Sequence, residues 1–195
     1  MSDWVNWLKG AINNQLEDLH TCMPAKIESF DPVKMKATVT PLFKRVFKGQ
    51  KPVNMPPIVE VPVSGLLAGG FVIRPPYKTG DLVLLIFAQR ALDNVMAAGN
   101  EADPEISRMH ALDDAIVVGG LMPFSQSLPG GHAQDLLIGT ANLSAKITIS
   151  PEGLISISSQ EQPLSITAPK GITLSATDIT GTGVVINGKD TSGSW

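Results

Sequence analysis

Ile147-Thr148-Ile149-Ser150-Pro151-Glu152-Gly153-Leu154-Ile155-Ser156-Ile157 is the stretch on which the reading of this chain turns. Two apolar pairs, Ile147 with Ile149 and Ile155 with Ile157, flank a Pro-Glu-Gly turn group, and Thr148 and Ser156 stand inside the pairs. The pattern runs on through Leu164 and Ile166 and through Ile172 and Leu174, across turn groups at Gln160-Glu161-Gln162-Pro163 and Pro169-Lys170-Gly171. Alternation puts the apolar members on one face of a strand. Strand plus turn recurring at about eight or nine residues is the signature of a β-solenoid or a fibrous array.

Roughly 60 residues give a one-chain solenoid only a few turns, with both ends left as open edges. Three copies winding together remove that problem. Each chain then contributes one short strand per layer, the Ile/Leu stripe faces a shared axis, and the Ser/Thr stripe faces water. The axis residues expected on this reading are Ile147, Ile149, Ile155, Ile157, Leu164, Ile166, Ile172, Leu174 and Ile186. Residues 136–195 are thus read as an intertwined trimeric β-helix and its tip.

The chain before this region is built differently. Trp4, Trp7, Phe30, Phe43, Phe47, Phe71, Tyr77, Phe87 and Phe124 precede position 125, and Trp195 alone follows it. Aromatics supply much of the buried area of an ordinary core, so the first half reads as a globular domain and the second as a narrow-axis fibre. Ser125-Gln126-Ser127-Leu128-Pro129-Gly130-Gly131-His132 separates them, and 125–135 reads as a linker.

Residues 24–124 show short strands between turns. Met35, Ala37 and Val39 alternate with Lys36, Thr38 and Thr40; Ile58 to Val63 is strand-like, with Pro62 suggesting an edge; Leu82 to Phe87 is unbroken and apolar, as for a strand buried on both faces. Ala91 to Ala98 reads as a short helix closed by Gly99, and Asp114 to Val118 as a further strand. Five or six short strands and a small helix suit a small closed barrel of the OB-fold type. Residues 1–23 form an amphipathic helix, with Trp4, Val5, Leu8, Ile12, Leu16 and Leu19 at helical spacing and Pro24 as a stop. Such a helix packs on its own domain or on a neighbouring subunit. A membrane-surface helix is disfavoured by Glu17 and Asp18, which stand where a basic face is usual. The fold class is mainly all-β.

Composition excludes several functions. A net charge of −3 argues against general binding to nucleic acid or anionic membrane. One cysteine, Cys22, excludes an intrachain disulfide. No apolar run approaches the roughly 20 residues of a membrane-spanning helix. The start of the chain has no basic region ahead of an apolar one, so no secretory signal is expected.

Chemistry-bearing residues do not converge. His110 lies near Asp113 and Asp114, a spacing that could serve a His–carboxylate pair but better suits a strand-entry loop satisfying its own backbone. His20 and Cys22 make a poor metal pair, and His132 belongs to the linker. Gly65 to Gly70 contains Leu66 and Leu67 and reads as a flexible loop rather than a phosphate cradle. Lys44, Arg45, Lys48 and Lys51, with Phe43 and Phe47 between them, suit a solvated strand face better than a nucleic-acid platform. No catalytic residue, metal site or cofactor is expected.

Several segments together resemble the central spike, or membrane-puncturing, proteins at the baseplate of contractile-tailed bacteriophages. They are Lys26-Ile27-Glu28-Ser29-Phe30-Asp31-Pro32, Ile58-Val59-Glu60-Val61-Pro62-Val63, Lys78-Thr79-Gly80-Asp81 ahead of Leu82 to Phe87, Arg108 to Ala115, and Gly120-Leu121-Met122-Pro123. The resemblance implies a homotrimer with an OB-fold collar and a triple-stranded β-helix. It implies a place in the virion under the tail tube and hub, after synthesis in the host cytoplasm. The partners implied are hub and tube proteins and, transiently, the host outer membrane; none is a nucleic acid. Trp4, Trp7 and Leu8 are the hub-binding candidates.

Many relatives end in an Asn-Gly-x-Asp-like turn followed by a His-x-His pair that holds iron on the axis. Here Asn187-Gly188-Lys189-Asp190 is followed by Thr191-Ser192-Gly193-Ser194-Trp195, without histidine. Hydroxyls replace imidazoles poorly as iron ligands, so no iron is expected. Trp195 or a separate cap protein would close the tip. Rival readings are the spike of a phage-derived contractile injection or secretion system and a spike-borne cell-wall hydrolase, the latter lacking a carboxylate or nucleophile constellation.

Overall fold

The structure, a computed structural model, describes residues 3–17, 19–46 and 49–173. Leu174, Ile186 and Trp195, and likewise Phe47 and Lys48, lie outside the described residues. In chain order the elements are α1 (Asp3–Glu17), β1 (Cys22–Asp31), β2 (Lys36–Pro41), β3 (Lys44–Arg45), β4 (Val53–Asn54), β5 (Ile58–Pro62), β6 (Leu66–Ala68), β7 (Phe71–Ile73), β8 (Leu82–Phe87), α2 (Asp93–Ala98), a 3-10 turn (Leu112–Asp114), β9 (Ala115–Gly120), β10 (Leu136–Gly139), β11 (Ala145–Ile149) and β12 (Ile155–Ser159). They form two compact units, Met1–Ser127 and Leu128–Trp195.

The first unit is a five-stranded antiparallel sheet in the order β5-β2-β1-β8-β9. Register shifts at Ile27/Ser29, Ala37/Val39 and Leu84/Leu85 bend it, because an extra residue on one strand raises the local twist. At the second of these, Glu60 takes φ +55° on the edge strand, and its carboxylate meets Lys36 Nζ at 3.1 Å. The sheet curls into a half-barrel whose outer strands approach through a bridge between Val63 and Val117 and a 2.7 Å hydrogen bond from Ser64 N to Val117 O.

Alternation supplies the core. Ala25 and Ile27 of β1, Val39 of β2, Val83 and Leu85 of β8, and Val117 of β9 are fully buried. A side chain of this size contributes about 1.5–3 kcal/mol when removed from water. The core is aliphatic: among the described aromatics only Phe87 is buried, while Phe30 and Tyr77 pack edge-on to each other at 5.4 Å against the margin of the core. The expected aromatic core is corrected here, because a small curled sheet has an interior that Ala, Val and Ile fill. β8 is likewise not buried on both faces; Val83, Leu85 and Phe87 point inward, Leu82 and Leu84 are half-buried, and Ile86 is exposed.

Pro24 does not stop a helix; it lies inside β1, opposite Leu84 of β8. Its carbonyl accepts from Leu42 N at 3.0 Å, just beyond the end of β2 at Pro41, so the missing proline N–H falls where the ladder with β2 has already run out. At the other end of β1, Asp31 accepts from the backbone N–H groups of Val33 and Lys34 at 2.9 and 3.0 Å, which holds the turn into β2. Those two donors also hold its carboxyl below the ordinary aspartate range.

β1 and β9 run from one end of the half-barrel to the other. The chain enters at Cys22, paired with Ile86, and leaves after Gly120, paired with Val83. α1, β3–β4 and α2 lie along the chain next to the entry end. The β6–β7 hairpin, between the ends of β5 and β8, belongs to the exit end, where Arg74 Nη1 donates to Pro32 O at 2.7 Å.

Candidate functional site

The second unit carries an uncovered apolar face. β10, β11 and β12 form an antiparallel meander, and the register pairs Leu136 with Ile149 and Ile138 with Ile147, then Ile147 with Ile157 and Ile149 with Ile155. Residues directly opposite share a face, so these six side chains make one patch, two per strand. All are exposed, from 39% at Ile149 to 66% at Ile155. The opposite face carries Leu137, Thr148 and Ser156 in one row, with Thr148 buried.

Two turns set that register. Between β10 and β11, Thr140 Oγ1 donates to Asn142 Oδ1 at 2.8 Å and accepts from Ala145 N at 3.2 Å. Gly139 lies so close to this turn that an added Cβ would sit 2.7 Å from Ala145 O, so any other residue there forces a shift. Between β11 and β12, Gly153 at φ +90° completes the Pro151-Glu152-Gly153 turn, and its N–H donates to Ser150 O at 2.9 Å.

Of the expected axis residues, Ile147, Ile149, Ile155 and Ile157 therefore meet on one face. They do so by pairing within one chain, where a strand from each of three chains had been expected in every layer. Leu164, Ile166 and Ile172 are exposed and lie outside any strand. Leu136 and Ile138, outside the expected axis set, also belong to the patch, and their one-residue spacing is the signal for it in the sequence.

Trp4, Trp7 and Leu8 are exposed on α1, together with Ile12 and Leu16. Spacings of three and four residues gather them on one side of the helix. A third apolar group begins where Gly65 to Gly70 reads as a loop: Leu66-Leu67-Ala68 pairs with Phe71-Val72-Ile73 to form the β6–β7 hairpin. Gly69 and Gly70, at φ +58° and +82°, supply the two left-handed residues of a type I′ turn. A Gly-Gly pair between two apolar runs is the signal that identifies it.

Apart from the His110 ring, whose buried Nδ1 has no hydrogen-bond partner among the described residues, the polar candidates have structural partners. Asp114 is fully buried and receives Arg108 Nε at 2.8 Å and Nη2 at 2.7 Å, with Leu92 N donating at 3.1 Å. Arg108 Nη2 also reaches Asp93 at 3.0 Å, so one guanidinium ties α2 to the 3-10 turn. Asp114 raises the proton affinity of that guanidinium further. His110 takes φ +47°, and its carbonyl accepts from His20 N at 3.1 Å, while the His20 ring lies 5.3 Å from Phe87. His132 pairs with Asp135 at 2.7 Å. The Arg108-to-Asp114 segment is thus a brace for the entry end of the half-barrel. A shallow cleft of about 440 Å³ beside it is lined by charges of both signs, including Lys34, Lys36, Glu60, Asp93 and Asp113.

Residues 23–120 match the family described as the phage protein Gp138 N-terminal domain. The chain belongs to this family. The matched residues run from the first buried side chain of β1 to the last residue of β9, which makes the half-barrel the Gp138-type domain. The match supports a phage structural protein with a virion-associated function. No curated protein matches the chain. Among the described residues no helix is long and apolar enough to cross a membrane.

Proposed function

We propose that this chain is the central spike of a contractile phage tail: a homotrimer attached beneath the tail tube and hub that is driven through the host outer membrane when the sheath contracts. The observation that carries this reading is the six-residue apolar face of β10–β12, which the described residues leave exposed. Three such faces turned inward around a three-fold axis would form a closed prism with Ser and Thr outside. Covering roughly 600 Å² per chain at about 25 cal/mol per Å² amounts to about 15 kcal/mol before association costs. That magnitude suits an obligate trimer.

On this reading the role is mechanical and not enzymatic. Stiffness comes from continuous strand pairing and a packed axis. α1, at the entry end of the Gp138-type domain, offers Trp4, Trp7 and Leu8 to the hub, and a separate cap protein or Trp195 closes the tip. The spike needs no metal, cofactor or nucleic acid.

The test is the solution mass of the full-length protein by light scattering over a wide concentration range. A mass of three chains that persists on dilution is expected. Ile147→Asp with Ile157→Lys should reduce it to one chain while leaving the circular dichroism of the half-barrel in place. A wild-type monomer at every concentration would sink the spike reading.

A further inference from the structure

The β6–β7 hairpin is too apolar for the surface it occupies. Leu66, Leu67, Phe71, Val72 and Ile73 are each more than half exposed, Phe71 at 82%. The ladder pairs Leu66 with Ile73, Leu67 with Val72 and Ala68 with Phe71, so Leu67 and Val72 lie on one face and the other four on the opposite face. Both faces are apolar. No charged residue occurs from Val61 through Ile73, and neither strand carries the Lys or Pro that commonly guards an exposed edge. The exposed area is on the order of 600 Å², at the upper limit of what a monomer leaves in water. It is also most of the roughly 800 Å² that one partner gives to a standard interface.

The position of the hairpin selects its occupant. It leaves the half-barrel at the exit end, where the chain departs for its second unit, whereas α1 stands at the entry end. A groove of about 270 Å³ runs from its base to β9, lined by Leu66, Ile73, Pro75, Tyr77 and Val118 among others. In a trimer held together through the second units, the exit ends are the ends of the half-barrels from which the chain runs on to those units. Transient interfaces are about as apolar as the rest of a protein surface, while permanent contacts between identical chains are more so. A charge-free hairpin with two apolar faces is of the second kind.

We propose that the β6–β7 hairpin packs against a second copy of this chain, clasping neighbouring half-barrels at their exit ends. The inference rests on the trimer reading, and the experiment separates the two. Full-length protein carrying a photo-crosslinking benzoylphenylalanine in place of Phe71 is purified, its mass measured, and irradiated; a probe in place of Lys51, beyond the entry end, is the control. Covalent dimers and trimers from position 71 but not from 51 are expected. Val72→Asp, on the opposite face of the hairpin, should speed subunit exchange between labelled trimers at least tenfold.

A trimer whose position-71 probe reacts only within its own chain overturns the clasp and leaves the trimer standing. Unchanged exchange in Val72→Asp does the same. A crosslink that forms only in assembled tails, to a different tail component, overturns the second copy in favour of a tail partner. A monomeric mass overturns the trimer and the clasp together.

Discussion

The half-barrel and the three-stranded sheet use the same alphabet to opposite ends. Both are antiparallel, both alternate apolar with polar residues, and both favour Ile, Val and Leu at the apolar positions. In the first, Ile27, Val39, Val83, Leu85 and Val117 lose all contact with water. In the second, Ile147, Ile149, Ile155 and Ile157 keep 39–66% of their exposure. The difference lies in number and curvature. Five strands with three register shifts curl until one face closes on itself. Three strands whose pairings run without a shift have, among the described residues, no second layer to turn toward. An apolar stripe therefore specifies a face, and the strand count and bulges decide whether one chain can finish the core behind it.

A matched pair of truncations probes that contrast most strongly. Leu85→Ala should cost about 4 kcal/mol in urea unfolding of the first unit, and Ile157→Ala should leave that transition unmoved. Equal losses from the two would break the comparison, since they would mean that the sheet face is already buried in the single chain.

The next effect in size comes from the brace. Arg108→Ala strands the buried Asp114 carboxylate and should destabilise the half-barrel by about 3 kcal/mol. Arg108→Lys should recover little, because an ammonium cannot reproduce the two-pronged contact. Full recovery by lysine would show that charge alone, without the fork, holds α2 to the 3-10 turn.

The smallest effect is read from the one tyrosine of the chain. Burial against Phe30, and secondarily Asp81, raises the Tyr77 phenol above its ordinary value of 10.0. The sign follows: its contribution is complete below that value and is lost as pH climbs through the higher value of the folded state. Ultraviolet titration of the native protein should give a midpoint above 10, moving down when Asp81→Asn removes the neighbouring charge. A midpoint at the ordinary value would place the ring in water.

What could be read from the residues alone followed from local pattern. The alternation at Met35 to Thr40, the apolar run at Leu82 to Phe87 and the turn at Asp31-Pro32 are each decided within a few residues, and each became the element expected. The apolar pairs from Ile147 to Ile157 were visible as one face for the same reason. Other features depend on distant partners. Pro24 is tolerated inside β1 only because β2 stops at Pro41. The Arg108 fork is set by a fully buried Asp114, and burial has no local code. The hairpin at Leu66 to Ile73 was legible in its Gly-Gly turn, yet its exposure runs against the rule that apolar residues go inside.

The route of the chain through the half-barrel has a mechanical consequence. β1 enters at one end and β9 leaves at the other, with β8 between them and antiparallel to both. Ladder hydrogen bonds lie across the strands. A pull or thrust applied between entry and exit therefore acts along the strands and loads every rung of the β1–β8 and β8–β9 ladders at once. A hairpin opened from its tip breaks its rungs one after another. This arrangement is the shear geometry, in which a small domain yields last.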